Sequence, residues 1–267
     1  MWFTPFVLFL LTVGTATAAW GENKSAGRSA DNARMVKIPQ RRFRPLFRDP
    51  RETSAGVAVE SFSIDILPAT RGEFARFVSE HPEWRRSRRK SLFADEKYLA
   101  HWSDDTTPPP PIAAPVTEIS WFAARAYCRS LGKRLPSSAE WELVASASES
   151  AEDASGDSKS QDKILAWYSH KSPYESLPPV GQHKNFWGVY DLHGLVWEWV
   201  NDFNGELTTG ESRGDTDADR NLFCGAGSLN ATEKDRVNYA AFMRYALRGS
   251  LQGTYTLQNL GFRCVAK

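Results

Sequence analysis

Apolar residues are spaced in three ways along the chain, and each spacing predicts a different element. A continuous run from Phe3 to Val13 precedes the small-residue site Ala16-Thr17-Ala18, which reads as a secretory signal over residues 1–18 and predicts a secreted or periplasmic protein. Residues 19–33 are polar and rich in Ser, Gly and Asn, a flexible leader to the domain. Met35-Val36-Lys37-Ile38-Pro39 reads as a short opening strand. From Val57 to Ile66 the apolar positions Val57, Val59, Phe62 and Ile64 suggest alternation, which predicts one half-buried strand. Thr70-Arg71-Gly72-Glu73 then has capping-box spacing, and Phe74, Phe77 and Val78 follow on one helical face.

Between Glu80 and Pro115 the periodicity is lost. Arg85, Arg86, Arg88, Arg89 and Lys90 form a basic cluster there, read as a solvated loop, with a partner-docking surface as the alternative. An earlier cluster, Arg41, Arg42, Arg44, Arg48 and Arg51, reads as a solvated face. Pro108–Pro111 holds its stretch extended and out of helix. Helical spacing returns at Trp121, Ala124, Cys128 and Leu131, with Ser120 placed to cap and Gly132 to provide a left-handed exit. Ser137-Ser138-Ala139-Glu140 is a second capping box, leading into Trp141 and Val144. Two short helices joined by a tight turn follow from this pattern. Ser146–Asp162, rich in Ser, Ala, Asp and Glu, reads as a surface insertion too poor in large apolar residues to order itself.

Composition narrows the class. The chain has 267 residues, 41% apolar and 12% aromatic, enough for one domain over residues 34–267. Lys and Arg total 33 against 32 for Asp and Glu, so the overall charge argues for neither nucleic acid nor an acidic membrane surface. The basic cluster lacks the aromatic interleaving of a nucleic-acid module. No internal apolar run approaches the roughly 20 residues that span a bilayer, so no membrane span is expected after signal cleavage.

The stretch Asn185 to Asp202, centred on Trp197-Glu198-Trp199 and entered through Gly188 and Gly194, resembles the formylglycine-generating, or sulfatase-modifying-factor, family. Gly132-Lys133-Arg134-Leu135-Pro136 with Ala139-Glu140-Trp141-Glu142, Gly227-Ser228, and Asn259-Leu260-Gly261-Phe262-Arg263-Cys264 resemble it in the same order. The resemblance implies an α+β chain with the irregular, C-type-lectin-like fold of that family and little regular secondary structure. It implies a disulfide between Cys128 and Cys264, which an export compartment would preserve and which would stabilise by about 4 kcal/mol. It also implies a calcium site built from the carbonyls of Asp191, Gly194 and Val196 and the side chain of Glu198, ligands that suit a hard cation. The alternative for Glu198 is local hydrogen bonding alone. Leu195 stands where the family usually has Asn. His193 has no second His or Cys at ligand spacing for a transition metal.

The same resemblance bears on catalysis. Active members bind copper(I) through two cysteines, five positions apart, shortly after the Gly-Ser, and use it to oxidise a substrate cysteine. The corresponding residues here are Ala231 and Arg236, or Asp235 and Ala240, depending on the end from which the segment is aligned. Neither pair has a thiol, so copper is not expected and no residue is assigned a catalytic role. Cys224, upstream of the Gly-Ser, reads either as a reactive or partner-linking thiol or as a small buried side chain. The run Asp235 to Tyr245 resembles the branch of the family encoded beside copper nitrite reductases. The function expected is therefore an accessory or maturation factor that binds a segment of a secreted or periplasmic protein, a redox enzyme such as nitrite reductase. The alternatives are an oxidoreductase of the siderophore-maturing type that uses other residues, and a structural binding module. Tyr239, Arg244, Tyr245 and Arg248 are candidates to line a substrate groove, though tyrosines at this spacing equally suit a core with only the hydroxyl wet.

Overall fold

The computed structural model describes residues 34–44, 56–169, 176–203 and 233–267, with side chains of the last stretch described from Tyr239 onward. The signal and leader over residues 1–33, together with Arg48, Arg51, Cys224, Gly227, Ser228 and Ala231, lie outside the described residues. Arg34–Lys267 form one compact unit of mixed helix and short strands. Strand β1 (Met35–Ile38) pairs antiparallel with β4 (Phe62–Asp65), and β4 pairs with the C-terminal β7 (Val265–Ala266). The central strand thus joins residues from both ends of the domain. Phe62 and Ile64 alternate inward on it, and Ile64 faces Val265 across the ladder.

The single strand predicted over Val57–Ile66 is two strands in two sheets. Strand β3 (Val57–Val59) pairs with β2 (Arg41–Phe43) in a separate antiparallel ribbon. The reason lies in the spacing: Val59 and Phe62 are both buried but three residues apart, whereas a pleat returns to the same face every second residue. A break between them lets both side chains point inward.

The three predicted helices form with their predicted caps. In α1 (Arg71–Glu80) Thr70 and Glu73 complete the reciprocal capping box, and in α3 (Ser138–Ala145) Ser137 and Glu140 do the same. Ser120 caps α2 (Trp121–Ser130), Leu131 ends it, and Gly132 leaves it in the left-handed conformation at φ 71°. The proline run accepts a buried partner: Nη1 of Arg71 donates to the carbonyls of Pro109 and Pro110.

Two readings of the loops are corrected. The basic cluster is not simply solvated, because Arg85 donates to the carbonyls of Val78 and Ser79 in the last turn of α1, and Arg86 donates to that of Trp102 at 2.6 Å. Segment 146–162 is ordered and leads into α4 (Ser158–Ser169). Side-chain to backbone bonds do this where apolar bulk is missing. Ser148 accepts from the amides of Ser150 and Ala151, and Asp157 accepts from Ser160.

Cys128 of α2 and Cys264 beside β7 form a disulfide, with Cα atoms 5.6 Å apart and 136 positions between them in sequence. It sits in a core of rings, where Phe262 meets Tyr127 at 5.1 Å and Phe74 at 6.2 Å edge to face. Strand β5 (Trp197–Glu198) runs parallel to β6 (Leu260–Gly261) against this core. A Cβ at Gly261 would stand 2.8 Å from the Val116 carbonyl, so only glycine lets the backbones approach this closely. Replacing both bridge cysteines by Ala is expected to lower unfolding stability by about 2–5 kcal/mol, read from urea titrations of both proteins.

Candidate functional site

Helix α3 has the sequence Ser-Ala-Glu-Trp-Glu-Leu-Val-Ala, and its three central residues face three directions. Glu140 turns back to cap the helix and forms a two-pronged ion pair with Arg134, both contacts at 2.6 Å. Trp141 and Glu142 point inward, each toward a buried charge. The ion pairs of Glu198 and Glu142 with arginine meet one or the other, while Lys133 with Asp65 and His101 with Glu118 are paired elsewhere in the interior.

The first buried charge centre lies on one side of Trp141. Its indole N–H donates to Oε2 of Glu198 at 2.7 Å, and Arg263 closes on the same carboxylate through Nε and Nη2. Both side chains of this pair are fully buried. Nη2 of Arg263 also donates to the Tyr190 carbonyl, and Nη1 donates to those of Asp65 and Ile66. The guanidinium thereby ties β4 and the turn before β5 to the C-terminal segment.

The second centre lies across the indole face. Helix α5 (Glu233–Ser250) sends Arg244 and Arg248, one turn apart, onto Glu142. Arg244 donates through Nε and Nη2, the latter at 2.7 Å, and Nη1 of Arg248 donates at 2.7 Å. The Arg248 guanidinium lies 4.8 Å from the Trp141 ring and that of Arg244 lies 5.9 Å away. Tyr168 of α4 accepts from Nη1 of Arg244, so α4 and α5 are held by the same charge.

These surroundings set the protonation states. Burial pushes the Glu142 carboxyl up, but Arg244 and Arg248 outweigh it and hold the group at about 2. Burial alone would make Arg244 easier to deprotonate, and Glu142 reverses this, raising it above the usual arginine range. Burial, with Arg244 adding to it, lowers His193 to about 4, so the ring is neutral at physiological pH. Its Nε2 donates to the Ala145 carbonyl, and the ring meets Trp141 edge to face at 5.7 Å. Burial also raises the Tyr168 hydroxyl.

Outside this interior lies an aromatic strip. Trp197 is half-buried and stacks on Tyr168 with centroids 4.7 Å apart, while Trp167 leans on it at 5.3 Å. The Tyr168 hydroxyl reaches the Ala240 carbonyl, and beside Ala240 the exposed Tyr239 stacks on Phe242 at 6.2 Å. The Trp197-Glu198-Trp199 motif is thus divided: Trp197 faces the strip, Glu198 neutralises Arg263, and Trp199 is buried with its N–H on the Ile119 carbonyl.

The residues singled out in the sequence are placed as follows. Of the candidate groove residues, Arg244, Tyr245 and Arg248 are buried and only Tyr239 is exposed, so those three form no open lining. The helical repeat of α5 decides this, since positions 244 and 248 share the face that meets α3. Asp191 has a positive φ of 59°, and its carboxylate accepts from the backbone amides of Gly181, Gln182 and His183. Gly194, at φ 95°, passes the ring of His183, and Leu195 and Val196 are buried against Ala114 and Leu177. As for calcium, Glu198 accepts from three N–H groups, the Trp141 indole and Nη2 and the shared Nε of Arg263. These bonds are the local hydrogen bonding that the sequence left open as the alternative role of Glu198. Glu142, Trp141, Tyr168 and the role of Arg263 were not assigned from sequence. The available signal was a charged residue within a helix otherwise fully buried, since a buried carboxylate requires a cation.

The family described as sulfatase-modifying factor enzyme 1-like domain matches residues 21–267. The inactive C-alpha-formylglycine-generating enzyme 2 of Bos taurus is 29% identical over 280 residues, covering 87% of this chain and 87% of that protein. The formylglycine-generating enzyme of Bos taurus is 24% identical over 293 residues, covering 90% and 76%. The crystal structure of CarF aligns with a TM-score of 0.46 at 18% identity, covering 87% of this chain and 97% of that one.

Two substitutions test the buried centres. Glu142→Gln leaves two guanidinium groups unpaired and is expected to cost about 3–5 kcal/mol at pH 7. The folded carboxyl titrates below its unfolded value, so wild type has this advantage above about pH 4.5 and loses it as pH falls to about 2. Thermal melts of both proteins across that window should therefore converge. Glu198→Gln should cost a similar amount in chelator and in millimolar calcium alike, whereas a calcium ligand would show its effect only with the ion present.

Proposed function

Because the chain belongs to the sulfatase-modifying factor enzyme 1-like family, we propose that it is an exported accessory or maturation factor, not a copper-dependent formylglycine generator. The observation that carries this reading is the use of its cysteines. The sequence has 3, and Cys128 and Cys264 are joined to each other. Cys224 alone remains, and a bis-thiolate copper site needs two soft ligands. The relative named as an inactive enzyme, similar along most of its length, supports the same reading. The signal-like start supports export, and so does the disulfide, because such bonds persist in oxidising compartments.

The buried centres act in this reading as a frame. Glu142 is ionised and saturated by two arginines, His193 is neutral with Nε2 committed to a carbonyl, and neither presents a group to a substrate. What the frame presents is the aromatic strip from Trp167 and Trp197 over Tyr168 to Tyr239. Flat rings of this kind bind the apolar side chains of an extended segment through area and stacking. The partner in this reading is a secreted or periplasmic protein, a redox enzyme such as a copper nitrite reductase, served by a factor without a cysteine pair for copper.

The test combines three readouts on protein purified from the export compartment. Metal analysis and thiol counting should give neither copper nor iron and one free thiol. Copper(I) with a cysteine-containing sulfatase peptide should give no aldehyde above buffer. In a host lacking the factor, the partner enzyme should lose activity, which wild type restores and Trp197→Ala restores poorly. Stoichiometric copper or iron, or copper-dependent peptide oxidation, would overturn the reading.

A further inference from the structure

The basic stretch Arg85 to Lys90 is only partly accounted for by its structural bonds. Arg85 and Arg86 hold the loop to the core, but Arg88, Arg89 and Lys90 are exposed, and Ser91, Leu92 and Phe93 beyond them are exposed as well. Leu92 is 73% exposed and Phe93 37%. These residues form a tight turn in which the amides of Phe93 and Ala94 donate to the Lys90 carbonyl. Leu92 is therefore the most exposed large apolar side chain of the turn, with Phe93 half-covered beside it and cations adjoining both.

The turn is firmly built. Asp105 accepts from the amide of Ser87 at 2.8 Å, Tyr98 donates to the Trp84 carbonyl, and Arg89 donates to the Ala94 carbonyl at 3.0 Å. The Phe93 ring rests against Trp84 at 6.2 Å and Phe122 at 5.4 Å. One turn along α2 from Phe122, Arg125 stacks over Trp121 at 5.0 Å and adds another cation to this side. Glu83 and Glu96 flank the turn as its exposed acidic residues. Such a fixed turn costs little entropy on binding, and burying Leu92 would remove a standing exposure of apolar surface.

We propose that the turn from Arg88 to Phe93 is a peripheral docking tip for an anionic lipid surface. Leu92 and Phe93 enter the interfacial layer, and Arg88, Arg89 and Lys90 meet the phosphate and acidic headgroups. Charge complementarity favours an anionic bilayer, because three exposed cations in sequence adjoin a largely exposed Leu92, the pairing of basic and apolar residues that interfacial binding uses. Among the described residues no helix is long and apolar enough to cross a membrane, so the contact is one of surface association. It is independent of the aromatic strip and of the accessory function.

Flotation of the full chain tests this, with vesicles of phosphatidylcholine alone and of phosphatidylcholine containing about one third phosphatidylglycerol. Binding is expected only to the anionic vesicles and should weaken as salt rises. Leu92→Ser should weaken it about tenfold, and Arg88→Ser and Lys90→Ser about fivefold each. All three positions are exposed, so melting temperatures should match wild type and separate lost docking from lost folding. Failure of wild type to float with anionic vesicles would overturn the proposal. So would flotation of Leu92→Ser equal to wild type, or equal binding to soluble polyglutamate, which would assign the cations to an acidic polypeptide.

Discussion

An ionised carboxylate in a protein interior exists only if cations are brought to it, and Glu142 imposes that condition on much of this structure. Its two oxygens draw Arg244 and Arg248 inward from α5, and Arg244 holds the Tyr168 hydroxyl of α4. Three helices distant in sequence are thereby set in register by one side chain. Helix propensity could form each of them but could not fix how they sit together.

Trp141 links this centre to the second. Its N–H completes the shell around Glu198 while its face lies beneath Arg248. The Glu198 centre balances one carboxylate with one guanidinium, the Glu142 centre holds one carboxylate between two guanidinium groups, and an indole separates them. That arrangement lets two carboxylates and three guanidinium groups sit among the rings and branched aliphatic side chains of the core. The disulfide acts differently: it restrains the unfolded chain by joining α2 to the C-terminal segment, while Arg263 one residue away binds the same segment enthalpically.

The consequence for function is a division between frame and surface. The signature residues Glu140, Glu142, Glu198 and Arg263 serve the frame, each bound to a partner within the protein. Exposed chemistry is left to Trp197 of the signature and, outside the signatures, to Tyr239 and the turn at Leu92.

Helix positions were legible in the sequence because their signals are local. Thr70 with Glu73, Ser137 with Glu140, and Ser120 with Gly132 each lie within one or two turns and carry their own geometry. The family, and with it the Cys128–Cys264 pairing, was legible through residues in a fixed order. The single strand over Val57–Ile66 was misread because the three-residue step from Val59 to Phe62 breaks the alternation, and only the pairing shows that the break separates two sheets. The placement of Arg244, Tyr245 and Arg248 in the interior rather than along a groove depended on Glu142, about a hundred positions away, and no local pattern marks a partner at that distance. The same holds for Glu198, whose fate was settled by Arg263 and Trp141. The sequence by itself determined the three capped helices and the family they belong to, since caps and motifs act within a few residues. Helices α4 and α5 became visible only in the fold. Only the tertiary structure decided which charges neutralise one another, because that pairing is set by three-dimensional proximity and by the cost of leaving any of them alone in the core.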